Sequence, residues 1–358
     1  MKLFSCSSCK QVAFFENVQC LSCGYQLGFF TDHLALMAME PVNGRWQACG
    51  WNGLYRKCAN YEVEATCNWM VNDNDGNPLC LGCRLNRTIP DLANPKNRKR
   101  WYRLEVAKKR LLFWLYERRL PIRDRVNDPE TGLAFDFLVP GKEKVLSGHA
   151  DGIITINAVE ADDEIREQMR VNMNEPYRTL LGHFRHEIAH YYWQQFVAPP
   201  NWQRLESFRS VFGDERLDYA QALQTHYDCG PPSNWLDQGY ISAYASSHPW
   251  EDWAETWAHY LHLTDALETA SQFGLALPEN QNQGQPLQIQ SPVASDGNRW
   301  NQPSFDFMLN DWQRLVFAIN SINRSLGISD LYPFVLASPA LEKLRFIHNL
   351  IAELSGIS

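Results

Sequence analysis

Nine of the ten cysteines lie in the first 83 residues, and four of them form two CxxC pairs, Cys6/Cys9 and Cys20/Cys23, ten residues apart. So short a stretch has almost no apolar core of its own, and hydrophobic burial alone would not hold it folded. In a reducing compartment, clustered thiols hold metal rather than disulfides. A CxxC turn puts two sulfurs on one side, and two such turns brought together close a tetrahedral shell about 2.3 Å from a zinc ion. Residues 1–40 are therefore expected to form a four-cysteine zinc ribbon that draws most of its folding energy from the metal.

The next segment, 41–95, carries Cys49, Cys58, Cys67 and the pair Cys80/Cys83. A second structural zinc site is expected from Cys58, Cys67, Cys80 and Cys83, although spacing alone does not separate Cys58 from Cys49. The run Asn72-Asp73-Asn74-Asp75-Gly76-Asn77-Pro78 resembles the start of a calcium loop, but no Glu stands at the twelfth position. It reads instead as a hairpin turn between cysteine ligands.

Hydrophobic residues at 45% and charged residues at 21% describe a folded chain, and the net charge of −8 argues against bulk nucleic-acid binding. No run approaches the roughly eighteen apolar residues of a membrane span, and polar residues and cysteines replace the apolar core of a signal peptide. A cytoplasmic protein without a membrane partner is expected. Thirteen Trp residues point to large aromatic packing units. A helix is expected from Asn97 to about Leu120, where Pro121 stops it. Between Lys96 and Arg125 twelve Lys or Arg stand against three acidic residues, which reads as a solvated face rather than a nucleic-acid patch. Strands are expected over Leu133–Val139 and Gly152–Asn157, with a turn at Gly148–Gly152. Helices are expected over 176–196, 202–227, 250–272, 305–325 and 339–355, and a surface loop over Pro278–Pro303. The stretch Asp151–Asn157 is either a core strand or an edge that accepts a peptide by strand addition.

Within the first of those later helices stands His186-Glu187-Ile188-Ala189-His190. Side chains four apart project from one helix face, which lets two imidazoles share a zinc ion at about 2.0–2.1 Å. Glu187 is placed to take a proton from a metal-bound water whose pKa falls to roughly 7. Apolar neighbours (Leu180, Leu181, Phe184, Ile188, Ala189) mark the helix as buried, where polar side chains are costly without partners. His183 shares the face and is read as a residue supporting the site. A third ligand must come from later in the chain, where Asp214, Glu215, Asp218, His226, Glu251, Glu255 and His259 are candidates. The passage Tyr244 to His259 is the most informative, because Glu251, Glu255 and His259 recur at four-residue steps. There one carboxylate can bind metal while another orients a ligating His. His248 remains without a role beyond a possible place in the cleft, and Asp214/Glu215 read as a cap or salt bridge.

The passage Gly182 to Trp193, with Phe212-Gly213-Asp214-Glu215, Tyr244 to Tyr260, Cys67-Asn68-Trp69, Leu79-Cys80-x2-Cys83 and Ile89-Pro90-Asp91-Leu92, resembles the bacterial zinc-binding metallopeptidases that carry an N-terminal zinc ribbon. More distantly, Tyr-x6-Glu is similar to the spacing of lethal-factor-like and Pro-Pro endopeptidase gluzincins. The resemblance implies Glu251 as third ligand and Tyr244 as oxyanion donor, which leaves Glu255, one turn on, to support the ligands. It implies an α+β fold: a zincin-like, mainly helical peptidase domain with a small sheet over 96–358, preceded by the zinc-binding modules. It also implies action on a peptide or protein. The competing expectation is a zinc-ribbon adapter for protein or nucleic acid, with a catalytically degenerate peptidase body.

Overall fold

Short β-prone runs separated by turn residues make the first third of the chain strand-rich, and long apolar-periodic runs make the rest helical. The computed structural model describes residues 2–172, 178–277, 287–292, 304–331 and 336–356. The chain divides into two units. Unit 1 comprises Met1–Glu117, Ile122–Ser147 and Ile153–Asp162; unit 2 comprises Arg118–Pro121, Gly148–Gly152 and Asp163–Ser358.

Unit 1 begins with the antiparallel pair β1 (Phe4–Ser5) and β2 (Val12–Ala13), whose connection carries Cys6 and Cys9. A five-stranded antiparallel sheet follows in sequential order: β3 (Gln26–Phe30), β4 (Ala35–Val42), β5 (Arg45–Ala48), β6 (Tyr55–Lys57) and β7 (Met70–Asn72). β4 runs across residue 40, so the sheet continues through the position read above as a module boundary. Asn43 and Gly44 (φ 50° and 74°) supply the left-handed pair that a two-residue turn between β4 and β5 needs. The Asn72–Pro78 run leads not into a hairpin partner but to Cys80. Its carboxylates are taken by arginines, Asp73 by Arg45 at 2.5 Å and Asp75 by Arg84 at 2.6 Å.

The rest of unit 1 is α1 (Ala59–Glu62), β8 (Asn86–Thr88), α2 (Pro95–Glu117), β9 (Ala134–Leu138) and β11 (Ile153–Asn157). The intervening β10 (Gly148–Ala150) belongs to unit 2. β9 lies between β8 and β11 and pairs with both in parallel. The apolar side of α2 meets the front of the chain in an aromatic cluster: Phe113, Phe15 and Phe29 lie at 5.0–5.8 Å between ring centres, and Trp69 stands 5.0 Å from Phe29. Much of the basic stretch is spent on ion pairs rather than displayed. Arg98 pairs with Glu64, Arg100 with Asp162 at 2.6 Å and Arg110 with Glu16 at 2.6 Å.

Unit 2 is helical: α3 (Asp163–Asn172), α4 (Leu180–Phe196), α5 (Trp202–Phe212), α6 (Tyr219–Cys229), α7 (Pro249–Gln272), α8 (Phe305–Ser325) and α9 (Ser338–Ser355). Two expectations differ here. β10 occupies part of the stretch read as a turn, because Asp151 and Gly152 (φ 46° and 79°) turn the chain by themselves. Thr179 starts α4 by accepting from Gly182 N at 2.9 Å, whereas the expected start at Pro176 lies outside the described residues. Most of the Pro278–Pro303 loop lies outside them as well.

α4 packs on α7, and the predicted aromatic units appear at this contact. Tyr192 stacks on Trp257 at 5.1 Å, and Trp253 Nε1 donates to Ala189 O at 2.8 Å. Among the described residues no helix is long and apolar enough to cross a membrane.

On α9, His348 is buried with Nδ1 3.0 Å from the Tyr260 hydroxyl. Burial, reinforced by Arg345 and opposed by Asp306, holds its imidazole at about 4, below the ordinary 6.5. The unfolded chain takes up that proton near pH 6.5, whereas the folded chain does so only near 4. This group's contribution to stability is thus complete above pH 6.5 and is lost as pH falls towards 4, by up to about 3 kcal/mol. His348→Gln is expected to flatten that part of the curve, as read from urea melts at pH 7.5, 5.5 and 4.5. Parallel curves for the two proteins would refute the assignment.

Candidate active site

α4 and α7 bring three ligand-type atoms to one point. His186 and His190 project from one face of α4, with Nε2 atoms 3.3 Å apart. Glu251, in the first turn of α7, sets Oε2 3.0 Å from His186 Nε2 and 3.8 Å from His190 Nε2. A tetrahedral centre with bonds of about 2.0–2.1 Å has ligands about 3.3–3.4 Å apart, so the triangle has the size zinc requires. Glu251 is only 1% exposed, and its Oε2 has no hydrogen-bond partner. A buried, unpartnered carboxylate oxygen between two imidazoles is costly unless a cation completes it. The donor set fits zinc.

The surrounding groups order these ligands. Glu255, one turn beyond Glu251, sets Oε1 2.7 Å from His186 Nδ1. A carboxylate only accepts, so Nδ1 carries the proton and the Nε2 lone pair is left for metal. Ser242 donates to the other Glu255 oxygen at 2.6 Å. Burial would raise the Glu251 carboxyl, but His190, His186 and the Tyr219 hydroxyl outweigh it and hold it at about 2.

Glu187 is buried on the same helix. Its Oε1 lies 3.2 Å from His183 Nε2, and its Oε2 has no hydrogen-bond partner. Burial again pushes upward, but His183, His186 and His190 together bring its pKa below the ordinary 4.5. Tyr244 opens the short turn before α7, with its ring centre 6.0 Å from that of His186. Burial, with Glu251 adding to it, pushes its phenol far above 10, so the hydroxyl stays a donor.

Residues 97–350 match the family described as "Putative zinc-binding metallo-peptidase", and residues 3–94 match a zinc-ribbon domain. Uncharacterized proteins of Mycobacterium bovis and of two strains of Mycobacterium tuberculosis are 42% identical over 355 residues, covering 99% of this chain and 96% of theirs. The chain belongs to this metallopeptidase family. No solved structure matches it.

The stretch that matches the zinc-ribbon domain contains two further groups of metal-ligand type. Cys6, Cys9, Cys20 and Cys23 form one, and Cys58, Cys67, Cys80 and Cys83 the other; within each, the sulfurs lie within 4.8 Å of one another. Cys6–Cys23, Cys9–Cys20 and Cys67–Cys80 are separated by 3.7, 3.6 and 3.7 Å. These are close to the edge of a tetrahedron with metal–sulfur bonds of about 2.3 Å and far beyond a disulfide bond of about 2.05 Å. Cys49 belongs to neither group. Glu105, Lys108 and Lys109 are buried beside the second group, with Lys109 Nζ 2.8 Å from Glu105 Oε2 and Cys83 Sγ 3.8 Å from the same oxygen. Two ammonium groups against one carboxylate leave a positive excess, which suits the double negative charge of zinc with four thiolates.

Other residues singled out above have structural partners. Glu215 accepts from Arg209 through both oxygens, and Asp214 pairs with Arg216. His248 caps α7, accepting from Trp250 N at 3.1 Å through Nδ1. His259 is half-buried one turn beyond Glu255, and desolvation holds it at about 4 despite the pull of Glu255. Asp218 caps α6 and His226 packs its ring against Tyr244. Sequence reasoning missed Tyr219, whose hydroxyl donates to Glu251 Oε1 at 2.5 Å. No spacing rule could mark it, because it stands on α6, 32 residues before its partner. β11, read above as a candidate peptide-accepting strand, lies in unit 1, whereas the strand that contacts α4 within unit 2 is β10.

Proposed function

We propose that this chain is a zinc-dependent peptidase that hydrolyses peptide bonds, with His186, His190 and Glu251 holding the ion and Glu187 as general base. The observation that carries the reading is the triangle of 3.0, 3.3 and 3.8 Å with the unpartnered Glu187 Oε2 on the same helix. Zinc, when bound there, supplies a Lewis acid that lowers the pKa of a coordinated water to about 7. Glu187 accepts the water's proton on Oε2 and returns it to the leaving amine, while His183 steadies the other oxygen. The Tyr244 hydroxyl donates to the oxygen on which negative charge develops. Glu255 keeps His186 in the tautomer whose Nε2 lone pair would be free for a metal ion.

In this reading residues 96–358 form the gluzincin-like peptidase body, and the two cysteine groups, Cys6/Cys9/Cys20/Cys23 and Cys58/Cys67/Cys80/Cys83, each hold a structural zinc. The clustered cysteines support a cytoplasmic setting. The adapter alternative is less well supported, because His186, His190 and Glu251 lie together beside Glu187 and much of the basic stretch is engaged in ion pairs.

A proteome-derived peptide library tests the activity. The zinc-loaded chain is expected to produce new peptide termini that vanish with a chelator and return when zinc is restored. Termini that appear equally with and without metal would rule the reading out.

A further inference from the structure

Glu251 needs more than its own helix to act as a ligand. Its four lone-pair directions would otherwise be free, and in a buried site a carboxylate with one unanchored oxygen can turn away from the metal position. Tyr219 supplies the anchor. Its hydroxyl donates to Oε1 at 2.5 Å, leaving Oε2 alone to face His186 and His190.

The phenol is itself held in place. Asp218 starts α6 by accepting from Gln221 N at 2.9 Å, which sets the backbone at Tyr219. The ring then lies 5.1 Å from the His248 ring at 86° and 5.7 Å from the Trp250 ring. His248 is fixed at both nitrogens: Nδ1 accepts from Trp250 N, and Nε2 lies 3.2 Å from Leu217 O. His248 thus ties the start of α7 to the residues before α6, and Tyr219 meets Glu251 across this tie.

We propose that Tyr219 is a positioning residue for the metal centre, holding Glu251 in a one-oxygen binding mode through its hydroxyl. Tyr219 and Tyr244 then divide the work: one orients a ligand, the other faces the reacting carbonyl. The proposal rests on the reading of Glu251 as the third ligand.

The test is a double-mutant cycle on zinc affinity in the full-length protein, which separates a direct pair from an indirect effect. The weakest-held zinc is removed with dipicolinate, and zinc is titrated back against a chromophoric chelator. Tyr219→Phe is expected to weaken binding about tenfold, as loss of a carboxylate's or histidine's supporting hydrogen bond does elsewhere. In a Glu251→Ala background the same change is expected to have no further effect, and Tyr244→Phe is expected to leave affinity unchanged. Unaltered affinity in Tyr219→Phe, or an equal loss with and without Glu251, would overturn the proposal. If Glu251→Ala itself binds zinc as tightly as the parent chain, the assignment of the third ligand fails instead, and Tyr219 falls with it.

Discussion

Replacing Glu187 with Gln is expected to lower turnover at least roughly a hundredfold while leaving zinc bound, because a general base contributes about that much. The substitution exchanges one oxygen for an NH2 of nearly the same size. It leaves the backbone of α4, the two imidazoles and Glu251 untouched, so the metal triangle should persist. What disappears is a basic oxygen that is buried, unpartnered and ionised: Oε2 has no hydrogen-bond partner, and the neighbouring histidines hold the carboxyl below its ordinary pKa. Metal content by mass spectrometry and turnover on a cleaved peptide should be measured on the same sample. Full turnover in the variant would remove Glu187 from the chemistry. Loss of zinc would show instead that the side chain holds the site together.

The largest stability effect is expected at the second cysteine group. Cys80→Ser should cost one zinc per chain and unfold the front of unit 1. Structural zinc in small domains contributes on the order of 10–16 kcal/mol to folding, which matches or exceeds the whole stability of about 5–15 kcal/mol of an ordinary domain. All four sulfurs are buried, with Cys58, Cys80 and Cys83 at 0–1% exposure. The ammonium groups of Lys108 and Lys109 are buried with them, so without the metal the site keeps a positive excess with little access to water. The first group is more forgiving, because Cys9 and Cys23 are exposed. Cys49→Ser, outside either group, is expected to keep both the zinc count and the melting profile of the parent. The readouts are zinc counted by native mass spectrometry and the protease resistance of residues 1–117. An unchanged zinc count in Cys80→Ser would exclude the site.

How much of this was legible in the sequence follows from the range over which each interaction acts. His186, Glu187 and His190 could be placed on one face because the helical period makes residues four apart neighbours in any α-helix. The same rule put Glu255 one turn beyond Glu251, and the CxxC spacing put sulfurs together in pairs. The aromatic units were foreseeable as a kind, since thirteen Trp must be buried somewhere, but not as particular pairs. The sheet through residue 40 was not foreseen, because cysteine spacing carries no information about strand pairing.

Local periodicity was thus sufficient to determine which residue types share a helix face and which cysteines pair within a knuckle. Only the tertiary structure decided which distant pieces complete each set. Cys58 joins Cys67, Cys80 and Cys83 because β6 pairs with β7 and the backbone around Cys58 then bonds to Trp69 O and Pro78 O, whereas Cys49, just beyond β5, belongs to neither group. Tyr219 reaches Glu251 only because α6 and the start of α7 are held together near His248. A helix or a turn is specified by its own few residues, but a contact across 32 residues depends on how two elements pack, and no spacing within either encodes that.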